Sequence, residues 1–414
     1  MIDCDTAGRR LMARCDALAA LSQEGATALT RLYLTPEHAQ ANAQVGLWMG
    51  ESGMTHRVDA LGNIIGRYEG TDPDAPAVLI GSHLDTVRDA GRYDGMLGVV
   101  TGIEAVDALH RAGKRLPFPI EVSGFGDEEG VRFGATLIGS RGQAGTLDPG
   151  TLDALDRDGI SLFEALNAFG LDASRWTEAA RPSGSLLAYL EVHIEQGPLL
   201  ESLGLPLGVV TAIAGATRRS YRLVGMAGHS GTVPMEARRD ALVGAAEAIL
   251  AVEAVGRDHG VVATVGQVES LPGAVNVIPG AARFTLDLRA ADDGARARAL
   301  ADLDKRLESL ARRRNLMLCM EPLHENNATP CSPHLMATLA HALEGVGQPV
   351  HQLMSGAGHD AMAFTDLVAV AMLFVRCAGG ISHNPKERIT AGDAGLAAKV
   401  LHDTLLLLAE DFSR

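Results

Sequence analysis

A short apolar run that leads into a glycine-bounded acidic loop constrains the fold of this chain most strongly. Residues 77–80 have strand character, and residues 95–112 repeat apolar side chains at three-residue steps, which predicts a helix. The loop between these elements holds His83, Asp85, Asp89 and Asp94. Because open α/β sheets place their functional groups where strands end, the pattern predicts an α/β fold with a site in this loop.

The side chains of this loop suit a metal ion without requiring one. A histidine and an aspartate can share an ion, and Asp85, two residues after His83, is placed to orient the imidazole. Solvated loop carboxylates are also common, so the loop alone leaves both interpretations open.

A second predicted strand ends in acidic residues. Residues 119–125 form an apolar run that is followed by Asp127, Glu128 and Glu129. An isolated acidic triplet is more often a solvated turn. One strand-helix-strand unit after His83, however, crowded carboxylates favour a positive group among them.

A third predicted strand, residues 186–196, carries a histidine. Its period of two places His193 on one face with Glu191 or Glu195. A lone strand histidine is usually structural, but flanking carboxylates make His193 a better ligand candidate.

The order of the predicted elements divides the chain into a discontinuous domain and an inserted one. A chain of 414 residues favours two domains. Within residues 213–328 the order is strand-helix-strand-strand-helix-strand, which predicts a ferredoxin-like α+β domain. Its predicted strands are 221–224, 261–268, 281–288 and 315–320, and its predicted helices are 235–254 and 293–313. The catalytic domain is then built from residues 1–212 and 329–414.

Composition excludes several classes of partner. A formal net charge of −15 argues against nucleic acid and anionic membranes. The five cysteines form no CxxC pair, which is typical of a reducing compartment. No secretory signal is visible, and the apolar run 367–375 is too short to cross a bilayer. The expectation is a cytoplasmic protein.

The candidate ligands favour a hard or borderline divalent metal. They are His83, Asp94, Glu128, Glu129, His193 and His383. Nitrogen and oxygen ligands without cysteine suit Zn²⁺ or Mn²⁺. Since the set exceeds what one tetrahedral ion needs, two ions with a bridging carboxylate are predicted. The sequence contains no P-loop, no strand-linked G-x-G-x-x-G and no G-x-S-x-G, so neither nucleotide chemistry nor a serine nucleophile is supported.

Together the motifs resemble the hydantoinase/carbamoylase family of dinuclear amidohydrolases, which are related to aminoacylase-type metallopeptidases. The segments that carry the resemblance, in order, are 81–86 (Gly-Ser-His-Leu-Asp-Thr), 93–95, 127–134, 191–198, 228–235, 276–280, 355–361 and 380–385 (Gly-Ile-Ser-His-Asn-Pro). They span nearly the whole chain. They are specific for the family and much less so for the member.

The resemblance implies a role for each metal ligand. One ion is held by His83, Asp94 and His193. The second is held by Asp94, Glu129 and His383, so that Asp94 bridges the pair.

It also implies a general base and substrate contacts. Glu128 corresponds to the base, and His229 to a residue that polarises the scissile carbonyl. The substrate contacts implied in addition to His229 are Gln196, Arg218, Asn276, Arg289 and Gly358. Without the resemblance, Arg289 would be read as an ion pair with Asp287 or Asp292. In the family the inserted domain forms a lid and a homodimer.

The activity implied is hydrolysis of the ureido group of a small carboxylate. Overall likeness, including residues 31–36, points first to allantoate, converted to ureidoglycine, ammonia and carbon dioxide. An N-carbamoyl-L-amino acid is the alternative, followed by ureidoglycolate and β-ureidopropionate. Ala216 leaves the choice open, because some allantoate enzymes have a polar residue there, for which Arg218 could compensate.

Two other functional interpretations of the same residues remain open. A catalytically silent binding protein would not need both the base and the full ligand set. A peptidase or aminoacylase would more often have a carboxylate where this chain has His193.

Overall fold

The computed structural model describes residues 2–25 and 27–412 and divides them into two compact units. Unit 1 comprises the chain up to Thr211, Cys331–Leu353 and the chain from Ala357 onward. Unit 2 comprises Ala212–Pro330 and Met354–Gly356.

The first part of the chain contains six α-helices and six strands among its described residues. The helices are α1 (Cys4–Ala19), α2 (Pro36–Glu51), α3 (Met96–Arg111), α4 (Ile138–Ala144), α5 (Leu162–Ala168) and α6 (Leu199–Leu203). The strands are β1 (Thr55–Val58), β2 (Ile64–Tyr68), β3 (Ala77–His83), β4 (Ile120–Phe125), β5 (Leu186–Ile194) and β6 (Leu207–Ile213). Side-chain caps set several helix starts. In α2, for example, Thr35 accepts the N–H of His38 and Pro36 occupies the first turn.

The middle and last parts of the chain supply the remaining elements. The middle part contains β7 (Gly215–Val224), β8 (Gly228–His229), α7 (Ala241–His259), β9 (Val262–Thr264), β10 (Val268–Leu271), β11 (Val277–Ile278), β12 (Ala281–Ala290), α8 (Asp293–Arg313), β13 (Met317–Asn326) and β14 (Thr329–Pro330). The last part contains α9 (Pro333–Gly345), β15 (Gln352–Ser355), α10 (Ala361–Phe364), β16 (Val370–Val375) and α11 (Ala391–Phe412).

The sheet of unit 1 is mixed, and its centre is parallel. Its strand order is β1-β2-β4-β3-β5-β16-β6. The strands β4, β3, β5 and β16 run parallel, whereas β1, β2 and β6 pair antiparallel. In register, His83 lies beside Phe125, and His193 lies beside Phe374. The carboxyl ends of the parallel strands therefore meet at one edge of the sheet, which is where such sheets place their sites.

The parallel strands form the centre of the core of unit 1. All seven residues of β3 and all six of β4 are buried. The helix α3 packs against them and has a buried side chain at nearly every position. Such continuous apolar burial is typical of parallel strands covered on both faces.

The sheet of unit 2 is antiparallel. Its strand order is β10-β12-β7-β13, and β9 also pairs with β12. The helices α7 and α8 pack their apolar side chains with those of the sheet in one core. With the connections strand-helix-strand-strand-helix-strand, this is the ferredoxin-like arrangement.

Several predicted bounds differ from the structure. The helix predicted over 235–254 begins instead at Ala241, because the Asp240 side chain accepts the N–H groups of Leu242 and Val243. The strand predicted over 261–268 is divided into β9 and β10. No helix in the described ranges has the length and apolarity that crossing a membrane needs.

Candidate metal centre

The candidate ligands of unit 1 gather where its parallel strands end. His83 is the last residue of β3, Glu129 follows β4, and His193 is near the end of β5. Asp94 lies just before α3, and His383 follows β16. Residues up to 300 positions apart in sequence thus meet because the strands share a direction.

The carboxylate of Asp94 lies at the centre of this group. Its Oδ1 is 3.4 Å from His83 Nε2 and 3.1 Å from His193 Nε2. Its Oδ2 is 3.2 Å from His383 Nε2, which is itself 3.4 Å from Glu129 Oε1. Each oxygen of Asp94 therefore faces a different set of ligand atoms, as a bridging carboxylate requires.

Main-chain carbonyls orient two of the histidines. His83 Nδ1 is 2.9 Å from the carbonyl oxygen of Asp85, and His193 Nδ1 is 2.9 Å from that of Ile194. A carbonyl can only accept, so each Nδ1 carries a proton and each Nε2 is left to face Asp94. This is the arrangement by which outer-shell groups direct histidines toward a metal.

The charge of the group is balanced around Asp94. Burial by itself raises the pKa of Asp94. Hydrogen bonds from the three histidines together outweigh burial, so the pKa lies well below the usual range. The pKa of His383 is raised to about 9, mainly by its hydrogen bond to Asp94. Sites that hold protons in this way exchange them for a cation.

The residues fit two divalent ions. His83, Asp94 and His193 form one group whose ligand atoms lie within 4.8 Å of one another, and Asp94, Glu129 and His383 form another. The donors are imidazole nitrogen and carboxylate oxygen, which suit divalent first-row metals.

A neighbouring group that shares His193 is less suited to a metal. Glu191, His193 and His359 also bring ligand atoms within 4.8 Å. The Glu191 carboxylate, however, already accepts the hydroxyl protons of Ser82 and Tyr189, each at 3.1 Å.

The role predicted for the Asp85 side chain differs from the structure. The carbonyl of Asp85, and not its carboxylate, bonds to the imidazole of His83, from which Asp85 Oδ1 is 3.8 Å away. The carboxylate instead accepts the main-chain N–H groups of Glu128 and Glu129 at 3.1 and 3.2 Å. Asp85 therefore positions the acidic pair.

Glu128 lies beside the ligands in a setting that favours proton transfer. Burial raises its pKa well above that of an ordinary glutamate, and the charges of Glu129 and Asp360 add to the rise. A Cβ placed on Gly358 would lie 3.8 Å from Glu128 Oε1, an ordinary contact distance, so this residue borders the carboxylate. The residue before Glu128, Asp127, has a left-handed φ of 58°, a strained conformation that recurs at functional sites.

Gln196 lies at the metal centre itself. Its Nε2 donates to Asp94 Oδ2 at 2.8 Å and to Ser382 Oγ at 3.2 Å. Ser382 and a further buried carboxylate, Glu387, were not among the predicted residues. Ser382 precedes His383 in a segment that carries the resemblance, which was the available signal; Glu387 follows that segment and had none.

In unit 2, His229 is held as a hydrogen-bond donor. Its Nδ1 accepts the N–H of Gly231 at 3.1 Å, so in the neutral ring Nε2 carries the proton. The short strand β8 pairs with β11, and the N–H of Ser230 donates to the carbonyl of Asn276 at 3.0 Å. The His229 side chain is exposed, and Val277 lies opposite it in the ribbon, one residue after Asn276.

Arg289 forms an ion pair with Asp287, one of the two aspartates near it in sequence. Its Nε and Nη2 both bond to the Asp287 carboxylate at 2.9 Å, and Arg218 Nε bonds to the same carboxylate at 3.0 Å. Its Nη1 donates to the carbonyl of Gly356 at 2.6 Å. Three of the five N–H groups are used, which leaves one on Nη1 and one on Nη2 for a further acceptor. Ala216 lies directly across the sheet from Arg289.

A family model now places the chain among known proteins. The model of peptidase family M20/M25/M40 matches residues 79–407. The chain belongs to this family. Since the family is metal-dependent, its assignment agrees with the nitrogen and oxygen donors gathered around Asp94.

Individual proteins similar to this chain cover nearly all of it. It is 42% identical over 404 residues to the N-carbamoyl-L-amino acid amidohydrolase of Geobacillus stearothermophilus, with 97% of this chain and 99% of the relative covered. It is 40% identical over 414 residues to the allantoate deiminase of Arabidopsis thaliana, with 92% and 79% covered. The solved structure of a hydantoinase/carbamoylase family amidase from Burkholderia multivorans superposes with a TM-score of 0.91 at 33% identity, covering 99% and 98%. The protein is therefore a hydrolase of carbon–nitrogen bonds with an M20 α/β fold.

Proposed function

We propose that this protein hydrolyses the ureido group of a small carboxylate at a centre of two divalent ions, Zn²⁺ or Mn²⁺. The observation that carries the proposal is Asp94, whose two oxygens face two separate sets of ligand atoms, with Glu128 beside them. Relatives that act on carbamoyl amino acids and on allantoate support the substrate class.

The ions would supply Lewis acidity, which polarises a carbonyl and makes a water acidic near neutral pH. His83, Asp94 and His193 would hold one ion, and Asp94, Glu129 and His383 the other. Glu128 accepts the proton of the attacking water and returns it to the leaving nitrogen. One water thus replaces the nitrogen on the ureido carbon, and the carbamate released decomposes to ammonia and carbon dioxide.

We assign substrate-holding roles to residues of unit 2. The Nε2–H of His229 can donate to the oxygen that develops negative charge. The two free N–H groups of Arg289 suit a carboxylate, and Asn276 and Arg218 add polar contacts. Gln196 and the main chain at Gly358 are the substrate contacts that we propose in unit 1.

The substrate we propose first is allantoate, which would give ureidoglycine, ammonia and carbon dioxide. The alternative is an N-carbamoyl-L-amino acid, which the relatives support equally and which the apolar Ala216 beside Arg289 favours. Less favoured are ureidoglycolate and β-ureidopropionate. We further propose that residues 213–328 act as a lid and join two copies into a homodimer in the cytoplasm.

The deciding experiment measures two products of purified, Mn²⁺-loaded protein: ammonia from the ureido compounds and free amino acid from the acetyl compound and the dipeptide. Allantoate, an N-carbamoyl-L-amino acid, an acetyl-amino acid and a dipeptide are supplied separately. We expect release from one ureido compound and no cleavage of the acetyl compound or the dipeptide. Cleavage of the latter two alone would show that the protein is an aminoacylase or a peptidase. If the protein binds two ions but hydrolyses none of the four compounds, the proposal is contradicted.

A further inference from the structure

A buried glutamate that the proposed chemistry does not use joins two loops of the metal centre. Glu387 is 4% exposed, and its Oε1 accepts the main-chain N–H groups of Tyr93 at 2.7 Å and Asp94 at 3.2 Å. Its Oε2 lies 3.3 Å from Ser382 Oγ. One carboxylate therefore connects the loop that carries Asp94 to the loop that carries His383.

These contacts act on both the main chain and one oxygen of Asp94, the ligand proposed to bridge the two ions. Ser382 Oγ donates to Asp94 Oδ2 at 2.7 Å, while Glu387 holds the N–H of Asp94. A bridging carboxylate must direct its two oxygens at two ions at once, so small rotations of the side chain would weaken both sites. Fixing the backbone and Oδ2 removes most of that freedom.

The loop before Asp94 is shaped around Glu387. A Cβ on Gly91 would lie 2.2 Å from Glu387 Cδ and 2.3 Å from its Oε1. Only a glycine at this position lets the carboxylate reach the N–H groups that follow.

Packing alone does not account for this residue. A buried carboxylate is unfavourable unless its oxygens are bonded. Among residues 2–25 and 27–412, the hydrogen bonds of Glu387 Oε1 go to the main chain of the loop that carries Asp94, and its Oε2 lies beside Ser382, whose proton goes to Asp94 Oδ2. Glu104 offers the contrast, since it is fully buried but pairs with Arg10 at 2.7 Å, away from these loops.

We propose that Glu387 is a positioning residue of the metal centre, which holds Asp94 in the orientation that serves two ions. The inference rests on the metal ligands proposed above and is independent of the substrate. Variants of Glu387 should accordingly lose metal affinity through a displaced Asp94, while every metal ligand remains present.

The test measures metal binding directly. Apo-protein is titrated with Zn²⁺ against a chromophoric chelator, and the visible spectrum of the Co²⁺-loaded protein reports coordination. Glu387→Met removes the acceptor at similar length, and Glu387→Asp keeps the charge but withdraws the oxygens. Both should bind Zn²⁺ about 10- to 100-fold more weakly, with an altered Co²⁺ spectrum. Glu387→Gln, which keeps an oxygen for both N–H groups, should recover most of the affinity.

Two further variants separate positioning from general stability. Gly91→Ala displaces Glu387 without removing any acceptor, and it should weaken Zn²⁺ binding in the same direction. Glu104→Met should lower the melting temperature and leave Zn²⁺ affinity unchanged.

The wild-type protein tests the proposed metal ligands, whereas the Glu387 variants test the positioning role. Two ions bound per wild-type chain supports the ligand set, and fewer would contradict it whatever Glu387 does. If Glu387→Met and Glu387→Asp bind two ions with wild-type affinity, Glu387 is not a positioning residue. If the Met variant does not fold, the Asp variant alone decides.

Discussion

Two adjacent glutamates after β4 illustrate how single residues divide the work of the centre. Glu129 Oε1 lies 3.4 Å from His383 Nε2, whereas Glu128 Oε1 borders Gly358. Glu128 also has a ligand atom within 4.8 Å of His83 and Glu129, so a ligand role is the alternative to a base.

We predict that Glu128→Gln retains two ions and loses turnover by a factor of about 100 to 10,000, because the amide cannot accept the proton. Metal content by mass spectrometry and initial rates of ammonia release check this. The neighbouring Glu129→Gln serves as the matched control and should lower metal content. Turnover within about tenfold of wild type would remove Glu128 as the base, and loss of one ion would make it a ligand.

The sequence predicted the residues of the centre better than the bonds between them. His83, Asp94 and His193 could be found because strand ends and a glycine-bounded loop mark them. The bonds that join Gln196, Ser382 and Glu387 to Asp94 connect segments far apart in the chain and leave no periodic signal. The orienting atom of Asp85 could not be predicted either, since a main-chain carbonyl has no sequence signature.

At the scale of elements, an ion-pair network ties β4 to its neighbours. Glu121 lies in β4. Its Oε1 is 2.8 Å from Nη1 of Arg67 in β2, and its Oε2 is 2.6 Å from Nη1 of Arg181. Burial raises the pKa of Glu121, but Arg181 and then Arg67 lower it below its usual value. A carboxylate with a lowered folded-state pKa stabilises the fold above its unfolded pKa, and this contribution is lost as pH falls through the folded one.

We predict that Glu121→Gln lowers the free energy of unfolding at pH 7 by about 2 kcal/mol, since two partly buried arginines lose their partner. The difference from wild type should shrink as pH falls below the unfolded pKa of glutamate. Urea unfolding of both proteins at pH 7 and at acidic pH checks it. Glu178→Gln, which breaks the exposed pair with Arg175, is the control and should leave stability unchanged. A difference that stays constant with pH would contradict the assignment.

Element bounds were predictable where local chemistry sets them. The helix predicted over 293–313 is observed as α8, Asp293–Arg313, whose start is fixed by the Asp292 side chain accepting the N–H of Ala295. The start of α7 was predicted too early because residues 235–237 form only a single tight turn. The strands β6 and β15 were not predicted; β6 pairs with β16 and β15, both far away in the chain.

At the scale of the whole molecule, the sheet of unit 2 has an exposed edge strand that could pair with another chain. Within the described residues, β13 pairs with β7 on one side only. Most of β13 is exposed, including the apolar side chains of Met317, Met320 and Leu323. Native proteins usually protect a long edge strand, because its free N–H and C=O groups bind other chains.

We predict that β13 of one copy pairs with a second copy and that the double variant Met320→Lys/Leu323→Lys is monomeric. Lysine on an edge strand opposes pairing through charge and desolvation. Light scattering after size-exclusion chromatography gives the mass directly. Leu47→Lys, at a residue that is 61% exposed on α2 of unit 1, is the matched control and should remain dimeric. A wild-type monomer would refute the homodimer, whereas a double variant that stays dimeric would place the interface elsewhere. Zn²⁺ affinity of the monomeric variant should equal that of wild type, because every proposed metal ligand belongs to unit 1 of the same chain.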